Sequence, residues 1–119
     1  MAALIYWFKG FVQSGQFEKY IDTHPNGSLN PVVEYYWGML LNFANHKESA
    51  VYRFSRVVEK YPKSEYAADA WVECIEVLDD MGDRNRVLEE SKKFMQSEYA
   101  NSSKADLIKR KIAVIEHGF

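Results

Sequence analysis

Apolar side chains return every three or four residues along most of this chain, and clusters of turn-forming residues interrupt them at intervals. That is the pattern of short amphipathic helices joined by tight turns. Trp7, Phe11, Phe17 and Tyr20 flank Gly15, and Trp37 and Leu41 are followed by Ala50, Phe54 and Val57. Ala70, Trp71, Cys74, Ile75 and Leu78 make a further stripe, and Val87, Leu88, Ser91, Phe94 and Met95 another. Breaks fall at His24-Pro25-Asn26-Gly27, at Ala44-Asn45-His46-Lys47, at Pro62 and at Gly82-Asp83. Pro62 lacks an N–H and disfavours helix in the residue before it, so the helix containing Phe54 ends at Tyr61. The prediction is an all-α fold of three helix pairs, over about 1–30, 31–64 and 65–103, the second pair's first helix beginning near Val32, closed by a capping helix over 104–117 that runs from Ala105 to His117. Lys104, Asp106, Lys109, Arg110, Lys111 and Glu116 give that last helix a polar outer face.

The pairs echo one another. Tyr61, Ser64 and Ala67 return as Tyr99, Ser102 and Ala105, each 38 residues further on. Within the middle pair, Gly38 and Ala50 are small enough to let two helices cross closely, and Trp37, Leu41, Phe54 and Val57 fill the space around the crossing. Trp37-Gly38, Leu41, Ala50, Phe54 and Pro62 stand at the offsets of a helix-turn-helix unit of about 34 residues, and this segment resembles a tetratricopeptide repeat. The second copy is looser, with Ile75 and Val87 where small residues are preferred. The first is the most degenerate, as terminal repeats often are. The run from Phe54 through Tyr61-Pro62-Lys63-Ser64 to Ala67 and Ala70 is similar to repeats of bacterial envelope members of the family, such as the lipoprotein of the β-barrel assembly machine and the accessory protein of the Tol-Pal system. That likeness covers about residues 33–105.

The resemblance implies a right-handed stack whose first helices line a concave groove, and repeat stacks of this kind serve binding. It places Lys9, Val12 and Gln13 of the first pair in that groove, with Tyr35, Met39, Asn42 and Phe43 of the second and Glu76, Asp79 and Asp80 of the third. Such a surface is apolar and aromatic at its centre and acidic at one end, and it suits an amphipathic or extended partner segment that carries Lys or Arg. Packing of Met39 and Phe43 under a neighbouring helix is the competing reading. The basic set that chaperone-binding members use to hold a carboxylate is missing, and Asp79 and Asp80 would repel one. The expected role is a non-catalytic interaction module, an adaptor or assembly subunit. The alternative is a scaffold segment that self-associates through Tyr6, Trp7, Phe8 and Phe11, because a helix apolar on every side should be covered on every side.

Charge and chemistry narrow the picture further. The 119 residues carry a net charge of −2, unevenly spread: residues 65–90 hold nine acids and two bases, and residues 91–119 hold six bases and three acids. No continuous basic surface follows from this, which argues against nucleic acid as a partner. His24, His46 and His117 fall in separate turns or ends without metal-pair spacing. Glu73, Glu76 and Asp80 share a helix face but lack a Glu-x-x-His counterpart, and no phosphate loop or glycine-rich fingerprint occurs. Asn26-Gly27-Ser28 and Asn101-Ser102-Ser103 match a glycosylation sequon and serve equally as turn chemistry. The expectation is a protein without catalysis, cofactor or metal. Lone Cys74, spaced with Trp71 and Leu78, reads as a small core residue. Met1 to Phe8 is apolar but has no basic leader and is interrupted by Lys9, and no run approaches membrane-spanning length. The expectation from these features is a cytoplasmic chain as it stands, or a mature or excised piece of something exported, whereas the envelope likeness implies the periplasm or the outer-membrane surface.

Overall fold

Proline is tolerated in the first helical turn, where its missing N–H has no partner to lose. Pro31 uses this freedom: the helix expected to begin near Val32 starts two residues earlier, at Asn30. The computed structural model describes residues 15–118, which form α1 (Gln16–Thr23), α2 (Asn30–Phe43), α3 (Lys47–Lys60), α4 (Ala67–Asp80), α5 (Arg84–Met95), a 3-10 turn (Glu98–Asn101) and α6 (Ala105–His117). There is no strand among the described residues. Each helix packs on its sequence neighbour, α3 lies against both α2 and α4, and α6 closes on α5 and the 3-10 turn.

Two tight turns join the longest pairs, and they are built alike. Asn45 between α2 and α3 and Gly82 between α4 and α5 both take a left-handed backbone, with φ of 65° and 74°. In each turn that residue's N–H bonds three residues back (Asn45 to Asn42, Gly82 to Asp79) and the next N–H five back (His46 to Leu41, Asp83 to Leu78), satisfying carbonyls the helix end leaves open. The segments between pairs repeat as well. Ser64 and Ser102 each donate a backbone N–H to the tyrosine three before, at 3.0 Å, and each hydroxyl accepts the N–H two residues on. The Tyr99 hydroxyl then donates to the Pro62 carbonyl at 2.9 Å, tying one segment to the other.

The core runs the length of the described chain. Phe54, Val57, Ile75, Leu78, Val87, Phe94 and Ile108 are buried, and Cys74 is among them. Its thiol is pushed up to about 11 by burial, which keeps it protonated and inert. At Gly38 the Phe54 ring of α3 fills the place of a side chain: a Cβ there would lie 2.7 Å from it. Trp71 stands edge-on to Phe94 at 5.3 Å, and its indole N–H donates to Glu90 at 3.2 Å. The single charged residue of α2, Glu34, is fully buried (0% exposed), with Arg53 at 3.4 Å and Arg56 at 3.8 Å. Arg53 also lies 3.5 Å above the Trp37 ring, so one guanidinium binds α2 by charge and by its aromatic face.

Candidate functional surface

Because α2 turns Trp37, Gly38, Leu41 and the paired Glu34 inward, its outward side carries no charge at all. Tyr36 is 52% exposed and Phe43 66%, one heptad apart on that side, with half-buried Val32 and Met39 between and beside them. Exposed aromatics are ordinary singly; a row of them along an uncharged side of a helix is not. Tyr35 lies at the edge of the row, clustered with Tyr36 at 5.3 Å, Tyr66 at 5.5 Å and Phe54 at 5.9 Å. Its phenol is pushed up to about 12, by burial first and then by the nearby Glu73 and Asp69 carboxylates.

Those carboxylates belong to the outward side of α4, which carries Asp69, Glu73, Glu76, Asp79 and Asp80. Most are already answered by lysines of the same chain. Lys104 meets Asp69 at 2.6 Å, Lys111 meets Glu76 at 2.6 Å and Asp79 at 2.7 Å, and Lys47 lies 3.8 Å from Asp80. Burial alone would lower the Lys111 ammonium's pKa. Its hydrogen bonds to Asp79 and Glu76 outweigh that and hold it above the ordinary lysine value. Glu73 has no ion-pair partner among the described residues. Burial, then the neighbouring Glu76 and Asp69, raise its carboxyl above the ordinary glutamate value, against a smaller pull from Lys104.

The residues read from the sequence therefore sort as follows. Tyr35, Met39, Asn42 and Phe43 do share one side of α2, but only Phe43 is largely free; Tyr35 and Met39 are half-buried against the core, and Asn42 accepts a hydrogen bond from Lys47 at 2.8 Å. Glu76, Asp79 and Asp80 lie on the adjoining helix, the first two held by α6. Lys9, Val12 and Gln13, and the self-association set Tyr6, Trp7, Phe8 and Phe11, lie outside the described residues. Tyr36 and Glu73 are the two exposed or unanswered groups that the carried-over groove positions omit.

Two hollows lie elsewhere on the described residues. One of about 530 Å³ between α1, α2 and α3 is lined by Glu18, Trp37, Tyr52 and Arg53, and its guanidinium is already committed to Trp37 and Glu34. The other, about 300 Å³, lies where α6 meets the α4–α5 turn and is walled by Leu107, Val114 and Ile115 with Asp79, Arg84, Arg110 and Lys111. Among the described residues, no three or more His, Cys, Asp or Glu side chains are grouped to hold a metal, and no helix is long and apolar enough to cross a membrane. Comparison with known proteins finds no matching family model, no similar characterised protein and no similar solved structure.

Proposed function

We propose that this chain is a non-catalytic protein-interaction module in which the adjoining outward sides of α2 and α4 receive a helical or extended partner segment. The observation that carries the reading is the pairing of an uncharged aromatic row, Tyr36 and Phe43, with an acidic row in which Glu73 is unanswered. An apolar anchor on α2 and a Lys or Arg over α4 satisfy both at once. A tetratricopeptide-like, right-handed stack is the architecture we assign. Its support is the two like-built turns at Asn45 and Gly82 and the like-bonded segments at Ser64 and Ser102, which make the chain a repetition of one helix-pair unit. In that architecture the module acts as an adaptor or assembly subunit.

The test uses two labelled peptides of the same heptad pattern, one with Leu and Lys, the other with Leu and Glu. The Lys peptide is expected to bind and to weaken with added salt. Replacing Tyr36 and Phe43 together with Ser is expected to cost more than about tenfold in affinity, at unchanged helical content by circular dichroism. Equal binding of both peptides, or indifference to the two substitutions, sinks the reading.

A further inference from the structure

The α2–α4 surface has a counterpart on the same molecule. The hollow beside α6 is apolar where α2 is apolar, through Leu107, Ile115 and the 45% exposed Val114. Asp79, paired with Lys111, is the one carboxylate in its lining, and Arg84 and Arg110 around it have no carboxylate partner among the described residues. One face thus offers exposed aromatics beside an unanswered carboxylate, and the other an apolar recess beside unanswered guanidiniums. At about 300 Å³ the recess stands at the lower end of ligand-sized cavities and takes a side chain or two. We propose that the α2–α4 face docks the α6 end of a second copy of this chain, Phe43 and Tyr36 seating against Leu107, Val114 and Ile115 while Arg84 and Arg110 meet the acids of α4.

Charge chooses this pairing over its rival. Two α2 faces brought together would also bring together two unanswered Glu73 carboxylates, beside Asp69 and Asp80 that Lys104 and Lys47 already pair, and like charges across an interface oppose association. Docking α6 on α4 instead places opposite signs against each other. The contact is heterologous, so it closes as a reciprocal pair if both molecules engage both faces, and otherwise propagates into longer assemblies. Its strength is bounded by area. Fourteen residues of α2 span about 21 Å, and a strip that long and one helix wide is well short of the roughly 800 Å² per partner of a standard interface. Association in the range of about 10 μM to 1 mM is therefore expected.

The inference rests on the α2–α4 surface being a docking face and names its occupant. Sedimentation velocity of the full chain over that concentration range reads it directly. The mass should rise above 13.9 kDa with concentration and fall back with salt. Phe43→Ser should weaken association about tenfold. Glu73→Lys/Asp80→Lys and Arg84→Glu/Arg110→Glu should each abolish it, and an equimolar mixture of the two reversed variants should associate again, since one copy of each rebuilds an opposite-charge contact. A monomer throughout overturns the inference, as does association indifferent to these changes, which would assign it to another part of the chain. Titrating the Leu–Lys peptide into the monomeric protein then separates the two readings. Binding that Phe43→Ser removes leaves the docking face standing without this occupant, and no binding removes both.

Discussion

Gly38 is in a helix, where alanine would ordinarily be preferred by about 1 kcal/mol. Here the added methyl would meet the Phe54 ring at 2.7 to 3.0 Å, and Phe54 is fully buried with nowhere to turn. Overpacking costs of about 1–3 kcal/mol outweigh the propensity gain, so Gly38→Ala is expected to lower stability by about 1 kcal/mol in chemical denaturation. Adding Phe54→Leu to that variant should recover part of the loss, whereas it costs stability in the native background. A second residue-scale test concerns Glu34. Two charges out of water are tolerable only while they hold each other, and Arg53 is the nearer and better-shielded of its partners. Arg53→Ala leaves the buried Glu34 carboxylate only the longer Arg56 contact and uncovers Trp37, and a loss of about 3 kcal/mol is expected in the same measurement. Paired replacement by Glu34→Leu and Arg53→Met should cost much less than the single change. That contrast would show that isolation of the charge, not loss of contact area, sets the penalty.

At the scale of elements, α4 and α5 respond to pH in opposite senses. Asp83 caps α5, accepting the Arg86 N–H at 3.2 Å and its Nε at 2.6 Å, and these bonds hold its carboxyl below the ordinary aspartate value. The stability it lends is complete above about pH 4 and is lost as pH falls further. Glu73 is raised, so between about pH 4.3 and its raised value the folded chain binds more protons than the unfolded one, and stability falls as pH climbs through that window. Glu73→Gln is therefore expected to raise the urea midpoint at pH 7 and flatten its slope in the window that opens above about pH 4.3. Asp83→Ala should lower the midpoint at neutral pH and flatten the slope below pH 4. The elements themselves were largely legible in the sequence, because Pro62, Gly82 and Asn45 act through backbone geometry that needs no tertiary context, and α6 has the bounds its periodicity sets. The start of α2 was not, since Pro31 reads equally as a breaker and as a first-turn residue. The inward-facing Glu34 does stand on the stripe of Trp37 and Leu41, but its partners come 19 and 22 residues later and only folding brings them there. Tyr36 was passed over for the same reason: which of two adjacent tyrosines is free depends on where Tyr66 and Phe54 pack.

For the molecule as a whole, Lys111 joins stability to recognition. It reaches from α6 across to Glu76 and Asp79 of α4, so it fastens the last helix and also occupies two acids of the proposed docking face. Because its pKa is held above the unfolded value, its contribution is present throughout neutral pH and is lost only as pH rises past the ordinary lysine value of about 10.4. Glu76 and Asp79 are each partly exposed, at 44% and 54%, so solvent screens the pairs and the contribution is about 1 kcal/mol. Lys111→Met keeps the aliphatic contact while removing the charge. It should lower the thermal midpoint by a few degrees and, at the same time, tighten binding of the Leu–Lys peptide, because two further carboxylates are left to a cation from outside. A purely structural lysine predicts the first effect without the second. Measuring both on one variant, at low and high salt, distinguishes the two, since an electrostatic gain in affinity must shrink as ionic strength rises.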